Sequence, residues 1–126
     1  MITPKELADK IVGLVNHLGG GVTHGDILHR LSDEGLRGDC MYGIPDKNIC
    51  LFVGLSEVFC DAIKLLDHEE PRRVELRPIE YLCHLIDGTP IPVNMPLAKR
   101  PPKNGYRKMH FASVAFSKYK HGGAAP

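Results

Sequence analysis

A chain of 126 residues, 43% hydrophobic and 25% charged, has the size of one hydrophobic core and the composition of an ordinary globular domain. No apolar run reaches the roughly 18 residues that a membrane span needs, and the start at Thr3-Pro4-Lys5-Glu6 lacks a secretory leader's cationic and apolar regions, so a cytoplasmic, membrane-free protein is expected. The net charge of +1 conceals polarity: residues 1–70 carry 6 Lys or Arg against 12 Asp or Glu, whereas 71–126 carry 10 against 3.

In chain order, Thr3, Pro4 and Glu6 form a capping-box start, and Leu7, Ile11, Leu14, Val15 and Leu18 recur at helical spacing up to Gly19-Gly20-Gly21, which predicts a helix over 4–18. Thr23 caps a second helix over 24–34 that buries Ile27, Leu28 and Leu31 and stops at Gly35. Residues 35–46, with Arg37-Gly38-Asp39 and Gly43-Ile44-Pro45, read as a turn-rich loop. The apolar segment 47–67 reads as helix, either one rod or two helices joined at Gly54-Leu55-Ser56 with Ser56 as the new cap.

Val74 to Arg77 alternates as a short strand stopped by Pro78. A short helix over 78–88 follows, with residues 79, 82 and 86 facing the core, and three prolines keep 89–96 extended. Asn104-Gly105 is a hairpin-turn signal between Leu97–Arg100 and a return strand from Tyr106 to Phe116. The expectation is an α+β fold: a helical N-terminal two-thirds, a small antiparallel sheet and a C-terminal β-hairpin. It forms a single domain over 1–120, with 121–126 as a flexible tail.

Helices, a short strand and a basic hairpin follow the element order of winged helix-turn-helix domains, and Ile49, Cys50, Val53, Gly54, Leu55, Ser56 and Ile63 are similar to a helix-turn-helix core. The resemblance covers residues 47–117. It implies a recognition helix over Ser56–Asp67 and a wing formed by the hairpin. Yet the implied recognition helix offers Glu57, Val58, Phe59 and Asp61, which repel phosphate or belong in a core.

Binding therefore falls to the wing: Lys99, Arg100, Lys103, Arg107 and Lys108 as phosphate or carboxylate contacts, with Tyr106 to stack on a base or sugar. The partner is a nucleic acid or an acidic protein surface. The alternative is an adaptor or self-associating protein, a homodimer included, whose opposite charge faces meet. Charged tips also keep an edge strand from pairing. Cys40, Cys50, Cys60 and Cys83 lack metal-ligand spacing, and the seven histidines accompany no nucleophile elbow, phosphate loop or His-x-x-x-His pair, so neither catalysis, cofactor nor metal is expected.

Overall fold

The structure, a computed structural model, describes residues 1–98 and 105–120. Helix α1 spans Pro4–Leu18. Its capping box is complete: Thr3 Oγ1 accepts from the Glu6 amide at 3.1 Å, and Glu6 Oε1 accepts from the Thr3 amide at 3.0 Å. Leu7, Ala8, Ile11, Val12 and Val15 form its buried face, and Gly19 ends it with φ 85°. Helix α2, His24–Arg30, is capped by Thr23, whose hydroxyl accepts from the Asp26 amide; a 3-10 turn over Ser32–Glu34 carries the chain to Gly35.

Beyond Gly35 the structure departs from the expected order. Arg37–Ile44 is strand β1 and not a loop, and Ile49–Leu55 is strand β2 and not a helix. The run Ile49-Cys50-Leu51-Phe52-Val53-Gly54-Leu55 has no polar residue to set a period, and five of its seven residues are buried, as in a strand covered on both faces. A 3-10 turn, Pro45–Lys47, and Asn48 at φ 52° reverse the chain between β1 and β2, which pair antiparallel with bulges. Ser56 does cap a helix, accepting from the Phe59 amide, and α3 runs Glu57–His68. A strand, not a first helix, precedes α3, so residues 47–67 hold no helix-turn-helix, and the arrangement is not a clear winged helix.

The C-terminal hairpin is corrected as well. Strand β3, Val74–Pro78, and a final strand β5, Val114–Lys118, pair antiparallel, but the intervening β4, His110–Phe111, runs parallel to β2 in the other sheet. Leu97 meets Phe111 through a parallel bridge. The last two strands thus belong to different sheets, ordered β1-β2-β4 and β3-β5. Between β3 and β4, helix α4 spans only Tyr81–Ile86. It is turned over relative to expectation: His84 is buried, while Leu82 and Ile86 are 62% and 74% exposed.

The α+β core lies between α1, α3 and the two sheets. Phe52 of β2 stacks on Phe116 of β5, with centroids 5.6 Å apart and planes 14° from parallel. Val22 exchanges backbone hydrogen bonds with Phe116, so the link between α1 and α2 lies along β5. Both phenylalanines are fully buried. Truncating Phe52→Ala is expected to cost about 3–5 kcal/mol in urea unfolding, because the cavity would open where the sheets meet. A loss below about 1 kcal/mol would show that the sheets are held together elsewhere.

Candidate functional site

Of the six expected contact residues, Lys99, Arg100 and Lys103 lie outside the described residues, as does the expected tail at 121–126. The described remainder of the segment is built onto the turn between β1 and β2. The Tyr106 amide donates to the Lys47 carbonyl at 2.9 Å, and Asn48 Nδ2 donates to the Tyr106 carbonyl at 2.7 Å. The His110 amide then donates to the Asn48 carbonyl at 2.9 Å. Gly105, at φ 81°, approaches so closely that a Cβ would stand 2.5 Å from Lys47 Cα.

These contacts bring Lys47 to the same end of the molecule as Arg107 and Lys108. All three side chains are exposed, and none makes an ion pair among the described residues. Asp46, also exposed, is the carboxylate beside them in the turn. Sequence reasoning missed Lys47 and Asn48. The signal was Asn48 after Pro45-Asp46-Lys47, since asparagine tolerates the left-handed backbone that a reversal requires.

Tyr106 also makes structural contacts. Its ring stacks on His110, with centroids 3.7 Å apart and planes 15° from parallel, and its hydroxyl is buried without a hydrogen-bond partner among the described residues. It packs against the edge of the core while remaining half-buried. His110 Nδ1 donates to the Lys108 carbonyl at 2.8 Å, which fixes the backbone between the ring stack and the two cations.

A second chemical feature escaped the sequence reading entirely. His24, opening α2, and His84, in α4, are both 0% exposed, with ring centroids 5.3 Å apart. Phe52 meets the His24 ring at 4.8 Å and Phe111 the His84 ring at 5.7 Å. His24 Nε2 donates to the Pro90 carbonyl at 3.3 Å, whereas His24 Nδ1, both His84 nitrogens and Thr89 Oγ1 have no partner among the described residues. Nearby, Thr23 Oγ1 donates to Asp87 Oδ2 at 2.7 Å, tying the start of α2 to the end of α4.

Burial disfavours the charged imidazole, and the neighbouring His84 adds to the effect, so the His24 pKa is lowered to about 3. Burial also lowers that of His84, against the opposing pull of Asp87. The pair is therefore neutral at ordinary pH. Among the cysteines, burial raises the Cys50 thiol and pushes Cys60 up to about 11, keeping both as thiols. Among the described residues, no three His, Cys, Asp or Glu side chains converge as metal ligands.

The histidine pair makes stability depend on pH with a definite sign. In the unfolded chain His24 takes a proton near 6.5, whereas in the fold it refuses one until about pH 3. Its contribution is complete above pH 6.5 and is lost progressively as the pH falls from there towards 3. Between pH 7.5 and 5 this should remove about 2 kcal/mol from the urea-unfolding free energy. The His24 ring protons should meanwhile keep their neutral NMR shifts, and a ring that titrates near 6.5 in the folded protein would contradict the burial described.

Comparison of the chain with protein-family models, curated proteins and solved structures finds no match to any of them, so the chemistry of the basic end rests on its own geometry.

Proposed function

We propose that this protein is a small non-enzymatic module that holds a polyanion, with a nucleic-acid backbone as the preferred partner. The contacts are Lys47, Arg107 and Lys108, together with Lys99, Arg100 and Lys103 of the same basic segment. The observation that carries the reading is the attachment of Tyr106 to His110 onto Lys47 and Asn48, which gathers exposed cations, without ion pairs among the described residues, from two distant stretches of sequence. Cations held on a fixed backbone release counterions when they meet phosphates, and that release supplies affinity without reading sequence.

Two further features support a backbone-directed, non-catalytic role. The first turn of α3 carries Glu57, and its inner face of Phe59, Cys60, Ala62, Ile63 and Leu66 is committed to the core, so this helix has little to offer base edges. The buried histidines and the unionised thiols of Cys50 and Cys60 are poorly placed to exchange protons or attack a substrate.

Fluorescence anisotropy with labelled single-stranded and duplex oligonucleotides tests the proposal. Binding should weaken as salt rises, and the triple variant K47A/R107A/K108A should flatten the logarithmic salt dependence on duplex by roughly 2–3. Gly105→Val should weaken binding without removing a charge, because its side chain would push the segment off Lys47. Absence of binding at low salt, or unchanged binding by the triple variant, would reject the reading. Binding to polyglutamate in place of nucleic acid would transfer the same cations to an acidic protein surface.

A further inference from the structure

Helices α1 and α3 pack against each other through Leu7, Ile11 and Val15 on one and Phe59, Ile63 and Leu66 on the other, all buried in the same core. Outside that contact the seam stays open. At about 100° per residue Leu65 lies off the core stripe of α3, and it is 45% exposed. On α1, Ala8 is 2% exposed and offers only a methyl group beside the seam. The two line a groove of about 490 Å³ and give it an apolar floor, where a longer side chain at position 8 would fill the space. That volume falls within the roughly 300–1,000 Å³ of small-molecule sites.

The charges around this floor are unevenly engaged. Glu69, the carboxylate that lines the groove, accepts from Arg73 Nη2 at 3.0 Å, and Arg73 also holds Asp9 at 3.0 Å. Both carboxylates are thereby neutralised. Lys5 from α1 and Lys64 from α3 line the groove as well, are exposed, and make no ion pair among the described residues. Glu6 is taken up by the cap of α1, and Asp61, one turn before Lys64, makes no ion pair with it. His68, one turn beyond Lys64, adds a ring N–H donor. The long stems of the two lysines extend the apolar wall and carry their ammonium groups to the rim.

We infer that the groove between α1 and α3 binds a single-chain amphiphile with an anionic head, a fatty acid of medium chain length, whose tail lies over Ala8 and Leu65 and whose carboxylate sits between Lys5 and Lys64. An apolar floor and a cationic rim are used together only by a ligand that carries both a tail and a negative charge. A nucleic-acid strand would meet the lysines and leave Leu65 in water, whereas an uncharged apolar ligand would leave the lysines without a counter-charge. From Lys64 to Glu69 the groove follows α3 for about 8 Å, which limits the tail to medium length. A bilayer presents the same chemistry on a broad surface, which cannot follow a groove down to a floor as buried as Ala8. No residue of this site belongs to the basic end at Lys47, Arg107 and Lys108, so the two bind independently.

Amide NMR titration of the full chain with hexanoate, octanoate and decanoate, each kept below its micelle concentration, tests the site. Shifts should centre on residues 5–9 and 64–69, with a Kd for decanoate of about 0.1–1 mM. Each added pair of methylenes should tighten binding about fourfold to tenfold until the groove is filled. Acetate, a head without a tail, should move nothing there, and decyltrimethylammonium, a tail with the opposite head, should bind at least about fivefold more weakly than decanoate. K5E/K64E should reverse that preference, weakening decanoate at least about tenfold and making the cationic amphiphile the tighter ligand, a gain that a misfolded chain could not produce. Leu65→Ser should weaken both amphiphiles with far-ultraviolet circular dichroism unchanged, since the side chain is already half exposed. Equal binding of the two amphiphiles by the wild type, shifts centred elsewhere, or unchanged decanoate affinity in K5E/K64E would overturn the inference. So would co-sedimentation with phosphatidylglycerol vesicles without any shift from monomeric decanoate, which would make the surface a membrane contact.

Discussion

The stack of Phe52 on Phe116 joins two sheets that share no strand, and much of the fold's arrangement follows from it. Phe116 also exchanges backbone hydrogen bonds with Val22, so the chain leaving α1 is carried along β5. His24, two residues later, consequently arrives against the edge of Phe52 and within 5.3 Å of His84. One aromatic contact thus connects the central strand, the last strand, the entry to α2 and the inward face of α4.

A cost travels along the same path. His24 against Phe52 and His84 against Phe111 leave three of their four ring nitrogens without partners among the described residues, and so give up hydration that aliphatic side chains would not miss. The fold accepts this at His24 and His84 while leaving Leu82, Leu85 and Ile86 in water. Packing alone would select the reverse assignment. The Thr23–Asp87 hydrogen bond and the close approach of Gly25 to Thr89 override it locally, and both depend on residues that carry no hydrophobic signal.

That is also where sequence reasoning stopped. The start of α1, the caps at Thr23 and Ser56, strand β3 and the end of α1 at Gly19 were legible because each is decided by a few neighbouring residues with specific backbone chemistry. Residues 49–55 were not, because an unbroken apolar run reads alike for a buried strand and a buried helix; only its place between β1 and β4 decides. The same distinction governs the site. Arg107 and Lys108 stood out by composition, whereas Lys47 joins them through hydrogen bonds to a segment nearly sixty residues away, and α4 was inverted by contacts with α2 that periodicity cannot express.

The opposite charges of the two halves of the chain acquire a different meaning in three dimensions. Much of the excess is spent internally: Arg73 reaches back to Asp9 and Glu69, Arg72 to Asp67, and Arg77 to Glu75. The first three of these contacts cross from the basic half of the sequence to the acidic half, so a polarity that looks like two faces is partly a set of closures between the helices and the residues that lead into β3. Such half-exposed pairs add little stability, but they neutralise charges where α1 and the end of α3 meet the chain entering β3. Lys118 and Lys120 leave from the sheet of β3 and β5. Among the described residues Arg107 and Lys108 pair with no carboxylate, and the turn that anchors their backbone contributes Lys47, which makes no ion pair there either. An unspent charge held on ordered backbone is a more specific feature than a basic composition, because an incoming anion need not displace an existing ion pair or order the chain that receives it.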